Sequence, residues 1–299
     1  MNKLSIAFVL FLFLTSCQKT YDLEPQDDFS VTAEKKNYKV GEAVNFIING
    51  KPENLVFWSG EVGRSYEHRQ RTAVAGNAVS LNFNTFAQFG LMPIDKSVIK
   101  LYVSTDFNGV YNAANVKAAT WEEITSQATL SSGADQTPSG NIDLTSFASR
   151  NKNMAIAIVY QTTVVKPEVQ QNRWVFRTFE LRRTNQQGEV TSLATMATAG
   201  WVAFNFSGPA TNWSITSAQL LTVRNNTELD DDWVVTKQFN PNSTLPDTGE
   251  PIKNISQNLN AFSKVYTKAG TYKVTFVATN ANVKKAQQTT QELEITITP

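Results

Sequence analysis

The chain has one histidine, His68, and one cysteine, Cys17, in 299 residues. These two scarcities remove much chemistry. A zinc site built on paired histidines cannot form, and a Ser-His-Asp triad would have to use His68. With a single cysteine there is no intramolecular disulfide, so stability rests on packing. Glycine signatures are missing as well: no phosphate-binding P-loop, no dinucleotide Gly-x-Gly-x-x-Gly and no Gly-x-Ser-x-Gly elbow occurs. Charge of either sign is not in excess, with 27 Lys and Arg against 26 Asp and Glu and a net charge of +1. Nothing in that balance points to a nucleic-acid stripe or a polybasic membrane patch. Beyond Cys17 no apolar run approaches the length of a membrane helix.

Apolar and aromatic residues are plentiful, at 41% and 11%. They suffice for two or three domains with real cores. The start of the chain reads as a secretory leader: a basic head, Met1-Asn-Lys3, an apolar run Leu4 to Leu14, then Leu14-Thr-Ser-Cys17. The last four residues resemble a bacterial lipobox. The resemblance implies that residues 1–17 are a lipoprotein signal, that the peptide before Cys17 is removed and that Cys17 carries lipid. Acyl chains contribute about 0.8 kcal/mol per buried methylene, and more than one chain gives a stable anchor. Residues 18–28 are polar, with Pro25 and the pair Asp27-Asp28, and read as a flexible tether. Asp22 and Glu24 resemble the acidic export signal of Bacteroidota surface lipoproteins. The expected location is therefore the outer membrane, lipid-anchored and facing the cell exterior.

From Phe29 the pattern is that of strands. Val44, Phe46 and Ile48 alternate with Asn45 and Asn49, Asn54 to Trp58 forms a second strand, and Ser59-Gly60-Glu61 closes it. This order resembles the first half of a PKD-type immunoglobulin-like domain. Near the other end, Val265 to Asn280 (VYTKAGTYKVTFVATN) resembles the second half of one. Between them, LYVSTDFNG, ATWEEIT, PSGNIDLTSF, MAIAIVY and RWVFRTFEL follow in order from Leu101 to Leu181. They resemble the jelly-roll domain of cleaved adhesins. The span from Phe29 to about Thr216 resembles an uncharacterised family of Bacteroidota lipoproteins, whose members are commonly encoded near polysaccharide-utilisation systems.

The expected fold is all-β, with Ig-like or PKD-like sandwich segments flanking a jelly-roll sandwich. Residues 29–85 form the first segment, 86–217 the jelly roll and 218–299 the last. Two separate sandwiches or one sandwich split by an insertion both fit, because a sandwich of about 100 residues needs roughly seven strands and the first segment holds fewer. Arg64, Tyr66, His68, Arg69 and Arg71 read as a charged edge strand rather than a basic docking surface.

The expected function is non-enzymatic capture of glycans, because aromatic rings stack on sugar faces through their apolar bodies. Of six tryptophans, Trp58, Trp174, Trp201 and Trp213 lie in strand patterns and read as core. Trp121 and Trp233 adjoin polar stretches and are the candidate glycan platform. Expected partners are a membrane, through the anchor, and polysaccharide or outer-membrane transport proteins, with no nucleic acid. The alternative is a structural or adhesive protein that binds another protein through a sheet edge. A carboxylate-only hydrolase would draw on Glu61, Glu122 and Glu123, whose pairing the sequence does not show. No cofactor is expected beyond a structural calcium, for which Asp106, Asn108 and Asp143 are candidate oxygen ligands; Asp106-Phe-Asn-Gly109 is equally a good turn. Asp230-Asp231-Asp232 reads as a solvated loop, since consecutive strand residues point to opposite faces.

Overall fold

The computed structural model describes residue 23 and residues 28–299, apart from 91, 166, 169, 209–212 and 223–226. The leader, Cys17 and nearly all of the tether lie outside the described residues. The fold is all-β, with strands arranged in β-sandwiches and two short α-helices among the described residues. The described residues divide into two compact units: those up to Arg71 together with 246–299, and those of 72–245.

The chain begins the first unit with β1 (Ser30–Ala33), β2 (Asn37–Lys39), β3 (Ala43–Asn49) and β4 (Asn54–Trp58). Along β3 the residues Val44, Phe46 and Ile48 are buried and their neighbours face outward, as a period of two requires. After β4, the segment Tyr66–His68 is a 3-10 turn and not an edge strand. Its basic residues are used locally. Arg71 pairs with the buried Asp247 at 2.8 Å, Arg64 donates to the Thr248 carbonyl at 3.2 Å, and the Arg69 guanidinium lies 4.0 Å from the Tyr66 ring centre.

The second unit follows. Its elements are β5 (Ala78–Gln88), β6 (Ile99–Ser104), α1 (Ala113–Ala118), β7 (Glu122–Glu123), β8 (Thr137–Pro138), β9 (Ile142–Asp143), α2 (Thr145–Ala148) and β10 (Ala155–Gln161). Then come β11 (Arg173–Thr184), β12 (Val190–Thr195), β13 (Val202–Ser207), β14 (Ser214–Ile215), β15 (Gln219–Leu221) and β16 (Asp231–Val235). One sheet runs β14-β15-β11-β5-β8, with β12 beside β11 and β9 beside β5; the other runs β13-β16-β10-β6-β7. Their pairings are antiparallel. The core between the sheets includes Leu81, Phe83, Leu101, Ile156, Ile158, Trp174 and Phe176.

These strands move both expected boundaries. A division at 85/86 would cut β5, which pairs with β11 from Ala78 to Gln88 and buries Val79, Leu81, Phe83, Thr85 and Ala87. A division at 217/218 would remove β16, which sits between β13 and β10.

The chain then returns to the first unit as β17 (Glu250–Lys253), β18 (Ala261–Val265), β19 (Gly270–Ala281) and β20 (Ala286–Thr298). β18 joins β3 in the sheet β1-β3-β18, and β19 joins β4 in the sheet β17-β4-β19-β20-β2. The terminal segments are thus halves of one sandwich and not two modules. The cause is visible in its core, where neither half can cover its own apolar face. Phe46 and Phe57 from the first half meet Phe262 and Phe276 from the second, with Phe46–Phe276 at 5.1 Å, Phe57–Phe276 at 5.0 Å and Phe57–Phe262 at 4.7 Å between ring centres. Gly60 is required at the close of β4: its φ is +75°, and a Cβ there would lie 2.7 Å from the Lys273 carbonyl oxygen.

Candidate functional site

The second unit has a small second core on the outer face of the sheet β13-β16-β10-β6-β7. Its geometry follows from register. The outward residues of the central strand β10 are small, Ala155, Ala157 and Val159, and are fully buried. Cross-strand rows place Lys100 of β6, Val159 of β10, Trp233 of β16 and Phe204 of β13 side by side, and Tyr102 beside Ala157 and Val235. Large rings on β6, β16 and β13 therefore lean over a strand with little side chain of its own. The excursion between β6 and β7 adds Phe107, Tyr111, Val116 of α1 and Trp121 from one side.

The result is a half-buried aromatic surface with Trp233 at its centre. Tyr102 lies nearly parallel to Trp233, at 5.5 Å and 7°. Trp121 meets it edge-on at 5.5 Å and 68°, and Phe206 at 5.9 Å and 75°. Both indole N–H groups have acceptors: Trp121 donates to the Val116 carbonyl at 2.8 Å and Trp233 to Asp231 Oδ1 at 2.9 Å. The rings are therefore fixed while part of their apolar surface stays open, the arrangement that aromatic contact with a sugar uses. Lys117 Nζ stands 4.5 Å from the Phe206 ring centre, and Lys100 pairs with Glu123 at 3.3 Å. Burial, then the charges of Glu123 and Asp231, raise the Tyr102 phenol above its usual range.

The two sequence-predicted platform residues, Trp121 and Trp233, are thus brought together. The three candidate calcium ligands are not on one element. Asp106 and Asn108 lie between β6 and α1, and Asp143 ends β9 in the opposite sheet. Each has local duties. Asp106 Oδ1 accepts from Ser104 Oγ at 2.8 Å and from the Thr120 amide at 2.9 Å. Asn108 Oδ1 accepts from the Val110 amide, and Asp143 Oδ1 from the Thr145 amide, both at 2.9 Å. Burial works against the Asp106 carboxylate, but hydrogen bonds from Thr120 and Ser104 outweigh it and hold the carboxyl below its usual range. Asp106 thereby clamps the backbone just before Trp121. Among the described residues no group of three or more His, Cys, Asp or Glu is placed to hold a metal ion.

The carboxylates a hydrolase would need are separately engaged. Glu122 makes a two-pronged contact with Arg150, Glu123 pairs with Lys100, and Glu61, in the other unit, pairs with Lys264 at 3.0 Å. The Arg150 hydrogen bond holds the Glu122 carboxyl below its ordinary range, opposite to what a general acid at neutral pH requires.

Of the other tryptophans, Trp58, Trp174 and Trp213 are buried, and Trp201 packs its ring 4.8 Å from Phe179. Sequence reasoning missed Tyr102, Phe204 and Phe206 as members of the surface. For Tyr102 the signal was present: alternation places it on the face opposite its apolar neighbours Leu101 and Val103. The acidic triplet also needs correction. Asp230 and Asp232 are 3% and 4% exposed, because β16 begins at Asp231 and turns Asp232 into the sandwich opposite Tyr160. Burial, then repulsion from Asp230 and Asp231, pushes the Asp232 carboxyl up to about 7.

No curated protein and no solved structure matches the chain. A family match covers residues 16–201 and stops one residue before β13, so it takes in Tyr102 and Trp121 but not Trp233. By that match, which spans well over half of its length, the chain belongs to the family described as a domain of unknown function, DUF5017.

Proposed function

We propose that this chain is a lipid-anchored, non-enzymatic glycan-binding protein of the cell surface, acting within a polysaccharide-utilisation system. The observation that carries the reading is the half-buried aromatic surface of Trp121, Trp233, Tyr102 and Phe206 on the outer face of one sheet. Rings held at fixed angles by saturated indole N–H groups suit stacking against pyranose faces. The engagement of Glu61, Glu122 and Glu123 by Lys264, Arg150 and Lys100 favours capture over hydrolysis. The PKD-like first unit serves as a spacer, and lipid on Cys17 holds the chain at the outer membrane, where it hands glycan to transport proteins.

Attachment to another protein through a sheet edge is the competing reading. β20 pairs with β2 only over Thr296–Thr298, which leaves its earlier part as an edge. That stretch, Gln287-Gln-Thr-Thr-Gln291-Glu292, is polar and offers little apolar surface to an added strand. The test is retardation of the detergent-solubilised protein in native gels loaded with one polysaccharide each. Retardation by one polymer class, lost in Trp233→Ala with the fold intact, is the expected outcome. Free migration on every polymer would sink the glycan reading and leave protein assembly.

A further inference from the structure

Beside the aromatic surface lies a groove of about 340 Å³ whose lining includes Lys96, Lys100, Ser97, Thr125 and Thr129, above Leu130. It exists because β7 pairs with β6 only at Tyr102 and Val103. Toward Ile99 the neighbour of β6 is a 3-10 turn, Thr125–Gln127, which receives the Leu101 amide on Thr125 Oγ1 at 2.9 Å. No carboxylate lines the groove. Lys100 belongs to both features. It stands two residues before Tyr102 on the same face of β6, about 7 Å along the strand, and in the cross-strand row of Trp233. Lys117 marks the opposite side of the aromatic surface, over Phe206. Two carboxylates stand by the rings: Glu123, the cross-strand partner of Tyr102, is paired with Lys100, and Asp231 is held by the Trp233 N–H and by Gln161 Nε2 at 3.4 Å.

From this juxtaposition we infer that the bound polysaccharide is anionic, a uronic-acid polymer whose carboxylates sit on Lys96 and Lys100 while a neighbouring sugar ring stacks on Tyr102 and Trp233. The inference rests on the glycan reading above and names its ligand class. Ammonium groups beside an apolar ring surface supply both halves of such a ligand's chemistry, and hydroxyls on Ser97, Thr125 and Thr129 supply hydrogen bonds to its secondary alcohols. Glu123 holds Lys100 at 3.3 Å in the free protein, and a ligand carboxylate takes its place.

The test uses the full chain in detergent with polygalacturonate and with its fully methyl-esterified form, which keeps the backbone and loses the charge. Polygalacturonate is expected to bind at least tenfold more tightly, with the preference vanishing in about 1 M salt, where the screening length falls to about 3 Å. Lys96→Gln with Lys100→Gln should abolish the preference for the acid over the ester. Glu123→Gln should strengthen polygalacturonate binding two- to fivefold, a gain that a merely structural role for Glu123 does not yield. Equal binding of acid and ester, or tighter binding of a neutral polymer, overturns the anionic assignment while glycan capture stands. Failure of every polysaccharide to bind a folded chain overturns both.

Discussion

Arg71 donates through Nη2 to Oδ1 of Asp247 at 2.8 Å, joining the residue at which the chain leaves the first unit to one beside its point of return. Asp247 is 5% exposed and its other oxygen accepts from the Ser65 amide at 2.9 Å. His68 Nδ1 stands 3.9 Å from the same carboxylate. Removing Asp247 takes acceptors from the half-buried Arg71 and from the Ser65 amide, and loss of a hydrogen bond to a charged group costs about 1.5–3 kcal/mol. Asp247→Ala should therefore lower the melting temperature of the first unit far more than Arg64→Ala, whose partner Thr248 is neutral and exposed. Calorimetry checks this, and equal small shifts for both variants would show the clasp to be inert.

The Asp106 clamp gives a prediction that separates a turn from a calcium site. Asp106→Ala frees the Thr120 amide and loosens the backbone that sets Trp121 against Trp233. Loss of a charge-assisted hydrogen bond of this kind costs about 1.5–3 kcal/mol. We expect polysaccharide binding to fall severalfold, and the melting temperature of the native chain to be unmoved by millimolar calcium or by a chelator. A chelator-induced drop of many degrees in the native chain, absent in Asp106→Ala, would restore the calcium reading.

What could be read from sequence was whatever depends on neighbours along the chain. The alternation of Val44, Phe46 and Ile48 marked a strand, and Ser59-Gly60-Glu61 marked the close of β4. Trp121 and Trp233 were recognisable as rings in polar surroundings. Their meeting at 5.5 Å was not, because it depends on the order β16-β10-β6 and on the small outward residues of β10 between them. The pairing of β3 with β18 and of β4 with β19 was equally out of reach, since a whole unit separates the partners. For Asp230 to Asp232 the alternation rule was applied but its consequence was missed: residues facing opposite ways must include one facing inward, here Asp232.

That inward carboxyl makes stability depend on pH. Asp232 titrates at about 7 in the folded chain, against an ordinary value of 3.8. A raised carboxyl value means that the folded state keeps a proton which the unfolded state has released. Below about pH 4 both states are protonated and nothing is lost. As pH rises from about 4 to 7 the unfolded state gains, by up to about 1.4 kcal/mol per pH unit, and above 7 the penalty stays constant. Asp232→Asn removes the titration. The variant and the native chain should melt together near pH 4, with the variant growing more stable up to pH 7 and holding that lead at pH 8. A difference independent of pH would contradict the assignment.

The second unit should also stand alone. Its two ends are neighbours: Ala73 and Ser243 form an antiparallel bridge, the Val74 amide donates to the Asn242 carbonyl at 2.8 Å, and the Thr244 amide donates to the Thr72 carbonyl at 2.9 Å. Asn77 Nδ2 ties the same ends further through the Pro241 carbonyl and Asn242 Oδ1, both at 3.1 Å. An insertion whose ends meet imposes little on its host, because a short linker can replace it, and it keeps its own core when excised. All strands of both its sheets, from β5 to β16, lie between Thr72 and Leu245. The fragment 72–245 should therefore fold cooperatively, with dispersed amide resonances and a single melting transition. Residues 28–71 joined to 246–299 by a short Gly-Ser linker should fold as well, since Phe46, Phe57, Phe262 and Phe276 all remain. By contrast, residues 28–71 alone should stay unfolded, because they carry Phe46 and Phe57 without the rings that cover them. A folded 28–71 fragment would mean that the first half is a module in its own right, and the split-sandwich account of the first unit would fall.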